Sequence, residues 1–197
     1  MIRHIVFRTP HGSLHGQLER PENPRGLILA IRSHRSPEDD AMLASLAASG
    51  FAILAMDLLT AHELQFADAT QNVPRLAQRL LDVLELIRND GDMQDLALGI
   101  HARSDTTPAA VRCTAQRDIQ VKALVCHGGL VDRAGLQALE LLTAPLLMLV
   151  DQDDIPASAA YQRAASHLSG KHLLRLLAAG DHRQAEVAAW FAEHLSA

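Results

Sequence analysis

The beginning of the chain alternates between apolar and polar positions. Residues 2–9 (IRHIVFRT) and 13–20 (SLHGQLER) both follow this pattern, and a TPHG turn lies between them. A period of two residues is typical of strands that bury one face. We therefore expect an antiparallel pair of strands at the N-terminal end.

Further along, near-continuous apolar runs take over and alternate with helical patterns. Runs of this kind are typical of strands buried on both faces, and the sequence has six of them: GLILAIRS, FAILAMD, LALGI, VKALVCH, PLLMLV and HLLRLLA. Helices are predicted from Ser36 to Gly50, from Asn72, from the turn after LALGI to Arg117, over DRAGLQALELL, over 157–168 and over EVAAWFAEHL. The alternation predicts a single α/β domain over residues 1–197, with a doubly wound, mostly parallel eight-stranded sheet and an antiparallel N-terminal edge.

Composition narrows the range of functions. The 197 residues are 48% apolar and carry a net charge of −5, which argues against a nucleic-acid partner. No apolar stretch reaches membrane-spanning length, and residues 1–13 lack the pattern of a signal peptide. Cys113 and Cys126 are too few for a disulfide framework and lack zinc spacing. We expect a cytoplasmic protein without a membrane partner, either a monomer or a homodimer paired through an exposed edge strand.

Candidate catalytic side chains follow the predicted strands. In doubly wound sheets, chemistry gathers at the carboxyl ends of the strands. Ser104 follows LALGI, Asp151, Asp153 and Asp154 follow PLLMLV, and His182 follows HLLRLLA. A serine hydroxyl needs a base to take its proton, and the base needs an acid to orient it. From the residues alone, any of the three aspartates could be that acid, or could cap the helix that follows.

Several segments carry a resemblance to a known family: MDLLT (56–60), LGIHARSDTTPAAV (98–111), KALVCHGGLVD (122–132), PLLMLVDQDDIP (145–156) and AAGDHRQ (178–184). With these segments, the chain resembles the α/β-hydrolases of the dienelactone-hydrolase-like group. The resemblance implies an α/β-hydrolase fold without a cap domain. It also implies Ser104 as nucleophile, Asp154 as acid, His182 as base, and backbone N–H groups of Arg32 and Asp105 as oxyanion donors.

The chain departs from the family pattern around the nucleophile. Ala102 and Thr106 stand where the G-x-S-x-G motif has glycines, and Ile31-Arg32 replaces an HG-type signature. We expect the β-branched Thr106 to resist unusual dihedral angles, and the Asp105 carboxylate to lie near the developing oxyanion. These departures leave open a catalytically impaired hydrolase-fold protein that binds a small anionic ligand or a protein partner.

Basic residues near the serine bear on the choice of substrate. Arg32, Arg103 and His34 could bind an anionic substrate; alternatively, the arginines are solvated or paired with acids such as Asp105, Asp153 or Asp181. We expect His101 and His127 to be packing or rim residues, and we expect neither metal nor cofactor. The sequence as a whole predicts a small serine hydrolase, of carboxylesterase or lactonase type, for small soluble esters, thioesters or lactones, with anionic ones included.

Overall fold

Eight strands and six helices alternate along the chain. The computed structural model describes residues 1–10, 12–33, 36–178, 181 and 183–195. The strands are β1 (Ile2–Thr9), β2 (Gly12–Glu19), β3 (Leu27–Arg32), β4 (Ala52–Asp57), β5 (Leu98–Arg103), β6 (Val121–His127), β7 (Leu146–Asp151) and β8 (His172–Leu177). The helices are α1 (Pro37–Ala48), α2 (Val73–Arg88), α3 (Thr107–Ala115), α4 (Leu136–Leu141), α5 (Ile155–Ala165) and α6 (Arg183–Leu195).

All eight strands form one sheet in the order β1-β2-β4-β3-β5-β6-β7-β8. The β1–β2 and β2–β4 pairs are antiparallel, and the remaining pairs are parallel. The predicted doubly wound sheet with an antiparallel N-terminal edge is confirmed. The reversal between β3 and β4 brings β3 beside β5, so the end of β3 lies next to the segment that carries Ser104.

Alternation within the strands sends side chains into two cores. Leu29, Ile100 and Met148 pack in the core that includes the buried face of α2. Ile28, Val125 and Leu147 point to the opposite side, where the core includes buried residues of α1 and α6. The same alternation continues to the carboxyl ends of the strands. The side chains near Ser104 therefore differ between the α2 side of the sheet and the side of α1 and α6.

Side-chain caps begin three helices, two of them at Ser36 and Asn72, where the sequence predicted helix starts. Ser36 Oγ accepts a hydrogen bond from Asp39 N at 3.1 Å, and Asn72 Oδ1 accepts one from Arg75 N at 3.0 Å. Among the three candidate aspartates after β7, Asp154 is the cap of α5. These caps satisfy backbone donors that a helix start otherwise leaves unpaired.

Two predicted elements differ from the structure. The helix expected over 132–142 is divided into a 3-10 helix, Val131–Ala134, and α4, because Gly135 has φ +94° and cannot continue a helix. β8 is an edge strand with Leu176 exposed, so it is not buried on both faces as expected. No helix in the described ranges is long and apolar enough to cross a bilayer.

The segment 60–72 after β4 is anchored by a buried ion pair. Arg79 of α2, only 4% exposed, donates from both terminal nitrogens to the Glu63 carboxylate at 2.8 Å. It also donates to the Leu58 carbonyl at 2.7 Å. The Arg79 hydrogen bond lowers the pKa of Glu63 to about 2, against a smaller opposing effect of burial. The segment is therefore fixed to the body of the domain.

Replacing Arg79 by Met leaves the Glu63 carboxylate buried without its main partner. We expect the free energy of unfolding to fall by about 3–5 kcal/mol at pH 7, measured by urea denaturation. Because the pKa of Glu63 is lowered, the pair stabilises the fold above the ordinary value of 4.5 and loses its effect as the pH falls to about 2. The difference between R79M and the wild type should narrow over that interval.

Arg88→Met is the matched control, because Arg88 lies on the same helix and pairs with Glu85 in an exposed i,i+3 bridge. Exposed pairs of this kind contribute little. Equal losses in R79M and R88M would contradict the role assigned to the buried pair.

Candidate active site

Ser104 occupies a strained turn between β5 and α3. Its φ angle is +51°, and it is the one non-glycine residue with positive φ in the described part of the chain. It opens a 3-10 helix, Ser104–Thr106, that runs directly into α3. This conformation costs an L-residue about 1–2 kcal/mol. Such strand-to-helix strain is what a nucleophile elbow uses to expose its serine.

Two glycines after β6 make room for this turn. A Cβ on Gly129 would lie 2.0 Å from the Ser104 carbonyl oxygen, so no other residue fits there without a shift of the backbone. Thr107 Oγ1 links both segments, donating to Ser104 O at 3.0 Å with a longer contact to Gly128 O at 3.3 Å. The buried Tyr161 hydroxyl donates to Gly128 O at 2.8 Å. The turn at Ser104 is thus held from the neighbouring strand.

The prediction for Thr106 is wrong. Its backbone is helical, with φ −88° and ψ −13°, so it needs no unusual dihedral angle. Its fully buried hydroxyl donates to Arg103 O at 2.8 Å and accepts from Arg103 N at 3.2 Å. Thr106 therefore closes the turn through its side chain, and the strain falls on Ser104 instead.

The carboxylate of Asp105 has a partner of its own. Thr70, in the anchored segment 60–72, donates from Oγ1 to Asp105 Oδ2 at 3.1 Å. This bond ties the carboxylate to the segment after β4. Thr70 therefore fixes the direction of the carboxylate, which keeps its negative charge.

The three aspartates after β7 have different surroundings. Asp154 Oδ1 accepts from Ala157 N at 3.0 Å, and its Oδ2 lies 3.9 Å from the position that a Cβ on Gly128 would take. Asp153 is exposed. Asp151 is bound at 2.5 Å by Arg183 Nη2. Asp154 and Ser104 thus lie against the two successive glycines, Gly128 and Gly129.

His182 and His34 lie outside the described residues. The neighbour of His182, Arg183, is tied to two strand ends: Nη2 binds Asp151, and Nη1 lies 3.1 Å from His127 Nε2. A guanidinium only donates, so His127 Nε2 is the acceptor and the ring is neutral. Burial, followed by the charge of Arg183, lowers the pKa of His127.

Both candidate substrate-binding arginines are already paired, with acids other than those expected. Arg32 is buried, and its Nε donates to Asp57 Oδ1 at 2.5 Å. Arg103 binds Asp39 Oδ1 at 3.0 Å and also Glu38, both at the start of α1. The Arg103 hydrogen bond lowers the pKa of Glu38. Burial raises the pKa of Asp39, but hydrogen bonds from Ser36 and Arg103 together bring it below its ordinary value.

Other side chains with reactive chemistry are buried and apart from the serine. His101 is 5% exposed, and burial lowers its pKa to about 4. Cys113 lies inside α3, where burial raises the pKa of its thiol to about 12. Cys126 is fully buried in β6. Among the described residues, no cluster of His, Cys, Asp or Glu has the geometry of a metal site.

Sequence reasoning did not assign a role to several residues at the site. They are Glu38, Asp39, Gly128, Gly129 and Arg183. A readable signal existed for the glycines, because a Gly-Gly pair directly after a buried strand is typical of close backbone approach. No comparable signal marks the acids of α1, whose contact with Arg103 depends on the placement of α1 over the sheet.

Known structures share this architecture. A dienelactone hydrolase from Anabaena variabilis is 26% identical and superposes with a TM-score of 0.89, covering 99% of this chain and 98% of that one. A cold-adapted esterase from an Arctic intertidal metagenomic library is 16% identical, with a TM-score of 0.74 over 98% of this chain and 94% of that one. The second likeness concerns the fold alone.

Curated relatives add a different name. A proposed phosphoribosyl transferase from two strains of Mycobacterium tuberculosis is 30% identical over 91% of this chain. The chain spans only 44% of the length of these relatives. No model of a protein family matches the sequence.

Gly129→Ala tests the close approach to Ser104. Gly50→Ala is the control: its φ of +90° is comparable to the +77° of Gly129, but a Cβ there would meet only the side chain of Arg25, at 3.3 Å. Both variants bear the cost of a left-handed alanine, about 1–2 kcal/mol. We expect G129A to lose about 1–3 kcal/mol more in the free energy of unfolding, because of the collision. Equal losses in urea denaturation would show that Gly129 makes no special room for the serine turn.

Proposed function

This chain has an α/β-hydrolase fold of the dienelactone-hydrolase-like type, and from that premise we propose that it is a serine hydrolase of small carboxylic esters or lactones. The observation that carries the proposal is the left-handed Ser104 at the end of β5. Strain of this kind at a strand-to-helix turn is the geometry of an exposed nucleophile. Asp154, whose Oδ2 lies close to Gly128 beside the serine turn, supports the same reaction.

In the proposed reaction, Ser104 Oγ attacks the ester carbonyl carbon and its proton passes to the imidazole of His182. The imidazolium then gives this proton to the leaving alkoxide, and an acyl-enzyme remains. Water attacks the acyl group by the same route and releases the acid and the free serine. Asp154 is the proposed partner that orients His182.

Backbone N–H groups of Asp105 and Arg32 are the proposed oxyanion donors. Asp105 is the second residue of the 3-10 helix that Ser104 opens, and backbone donors at a helix start are free to bind a developing negative charge. Its carboxylate is bound by Thr70. One such donor contributes about 10²–10³ in rate.

Phosphoribosyl transfer is not proposed for this chain. The curated relatives that bear this name are more than twice as long as the part that this chain matches. The proposed serine reaction instead rests on Ser104 after β5 and Asp154 after β7, which both lie against the glycines that follow the intervening strand β6.

A fluorophosphonate probe tests the proposal directly. We expect one adduct on intact-mass analysis, mapped to the peptide of Ser104, absent in Ser104→Ala and lost in His182→Ala. Ser169→Ala is the matched control, since the Ser169 hydroxyl is exposed and donates to the Glu140 carbonyl. A folded wild type that takes no adduct would overturn the hydrolase and favour a catalytically impaired binding protein.

Arg183 offers a second test, as a positioning residue for the segment that contains His182. In Arg183→Gln the ties to Asp151 and His127 are lost, and we expect the labelling rate of Ser104 to fall by about 10–100-fold. The acid limb of the rate should also move to higher pH, because the positive charge of the residue that follows the proposed base in sequence has been removed.

Arg175→Gln is the control for Arg183→Gln. Arg175 binds Glu186 of the same helix α6, but in an exposed pair that involves neither Asp151 nor His127. A merely structural loss would reduce stability in both variants and leave the pH profile unchanged. An unshifted acid limb in R183Q would therefore count against the positioning role.

A further inference from the structure

Two fully buried hydroxyls lie between the serine turn and the helix that Asp154 caps. Thr107 is the first residue of α3, directly after the turn, and Tyr161 lies on α5, whose N-cap is Asp154. Each hydroxyl donates to a backbone carbonyl at the carboxyl end of the sheet. Because neither side chain is exposed, neither can contact a substrate directly, and any influence on the reaction has to pass through the backbone.

Gly128, directly after β6, is the residue at which these contacts meet. Tyr161 Oη donates to the Gly128 carbonyl at 2.8 Å, and Thr107 Oγ1 lies 3.3 Å from the same oxygen. The Gly128 N–H donates to the Leu149 carbonyl of β7 at 2.9 Å. Gly128 is therefore bound through both of its backbone polar groups, to α5 and α3 on one side and to β7 on the other.

Thr107 has a single hydroxyl proton and two carbonyls within reach. Its Oγ1 lies 3.0 Å from the Ser104 carbonyl oxygen and 3.3 Å from that of Gly128. Because Tyr161 supplies the Gly128 carbonyl with a shorter hydrogen bond, the Thr107 proton is available to Ser104. Burial raises the pKa of Tyr161 well above its ordinary value, so its hydroxyl remains a donor. The two carbonyls thus have a donor each only when both hydroxyls are present.

Asp154 and Tyr161 reach Gly128 from the same face of α5. They are seven residues apart in the sequence, which is about two turns of a helix. Tyr161 bonds to the Gly128 carbonyl, and Asp154 Oδ2 lies 3.9 Å from the position that a Cβ on Gly128 would take. The Tyr161 hydrogen bond therefore fixes the start of α5 relative to the glycines beside Ser104.

We infer that Thr107 and Tyr161 are positioning residues, which through Gly128 set the place of Ser104 relative to Asp154. This inference rests on the proposed function and goes beyond it, because neither residue touches the substrate or the reacting atoms. Thr107 holds the carbonyl of the strained Ser104, and Tyr161 holds the helix that Asp154 caps. The nucleophile and its acid, which follow β5 and β7, are thus tied together across the end of β6.

The rate at which a fluorophosphonate labels Ser104 tests the inference, with each variant measured where urea denaturation shows it to be fully folded. We expect Thr107→Val to lower this rate by about tenfold, because the hydroxyl is lost while the shape of the side chain is kept. Thr107→Ser retains the hydroxyl and should keep the wild-type rate. Tyr161→Phe keeps the ring and should also lower the rate by about tenfold, because the Thr107 proton is then shared with the Gly128 carbonyl.

Two further measurements separate positioning from stability. The double variant T107V/Y161F should lose less than the product of the two single losses, because the part of the Tyr161 effect that passes through Thr107 is already gone. With p-nitrophenyl acetate as substrate, the losses should lie in kcat, with KM little changed. A purely structural role would lower the free energy of unfolding and leave both rates per folded molecule unchanged.

Thr114→Val is the matched control. Thr114 is a fully buried threonine of the same helix α3, and its Oγ1 has no hydrogen-bond partner among the described residues. Loss of this hydroxyl should leave the labelling rate unchanged. Unchanged labelling in both T107V and Y161F, or an equal fall in T114V, overturns the positioning inference while the hydrolase stands. A folded wild type that takes no adduct on Ser104 instead overturns the proposed function.

Discussion

The left-handed backbone of Ser104 is the constraint on which the site depends. A serine does not adopt φ +51° by preference, so the surrounding structure has to impose it. β5 fixes the residue before the turn, Thr106 closes it, and Gly129 leaves the space that the Ser104 carbonyl occupies. The stability of the domain thus offsets the strain at one residue. The glycines after β6 leave the room that the serine turn occupies.

Strand alternation divides the chemistry between the two sides of the sheet. Arg32, Asp57, Arg103 and Asp151 end their strands, and each forms an ion pair there. Thr106 and Thr107 hold the opposite side, next to α3. Ser104 lies at the carboxyl end of β5, between these two sides of the sheet. The charge network on one side of the sheet therefore follows from the two-residue period of the strands, whereas the two threonines belong to the turn and the helix after β5.

Much of this could be predicted from the sequence, because it depends on local patterns. Apolar runs located the strands, and strand ends located Ser104 and the three aspartates. The failure for Arg103 depended on tertiary placement. The partners of Arg103 come from α1, which follows a different strand, and no local pattern reveals which acids a helix brings across a sheet. For Thr106, propensity predicted strain at the right turn but at the wrong residue, because its hydroxyl could bond within the turn.

The segment 60–72 has a consequence for the kinetics of the molecule. It is fastened to α2 through Glu63, to the serine turn through Thr70, and to the 3-10 helix after β6 through Gln71 and Arg133. A lid needs a hinge and a free edge, and this segment is held in three places along its length. Opening and closing on the microsecond-to-millisecond scale, which limits turnover in many enzymes, has no structural basis in this segment. Ligand exchange at the serine therefore needs no movement of this segment.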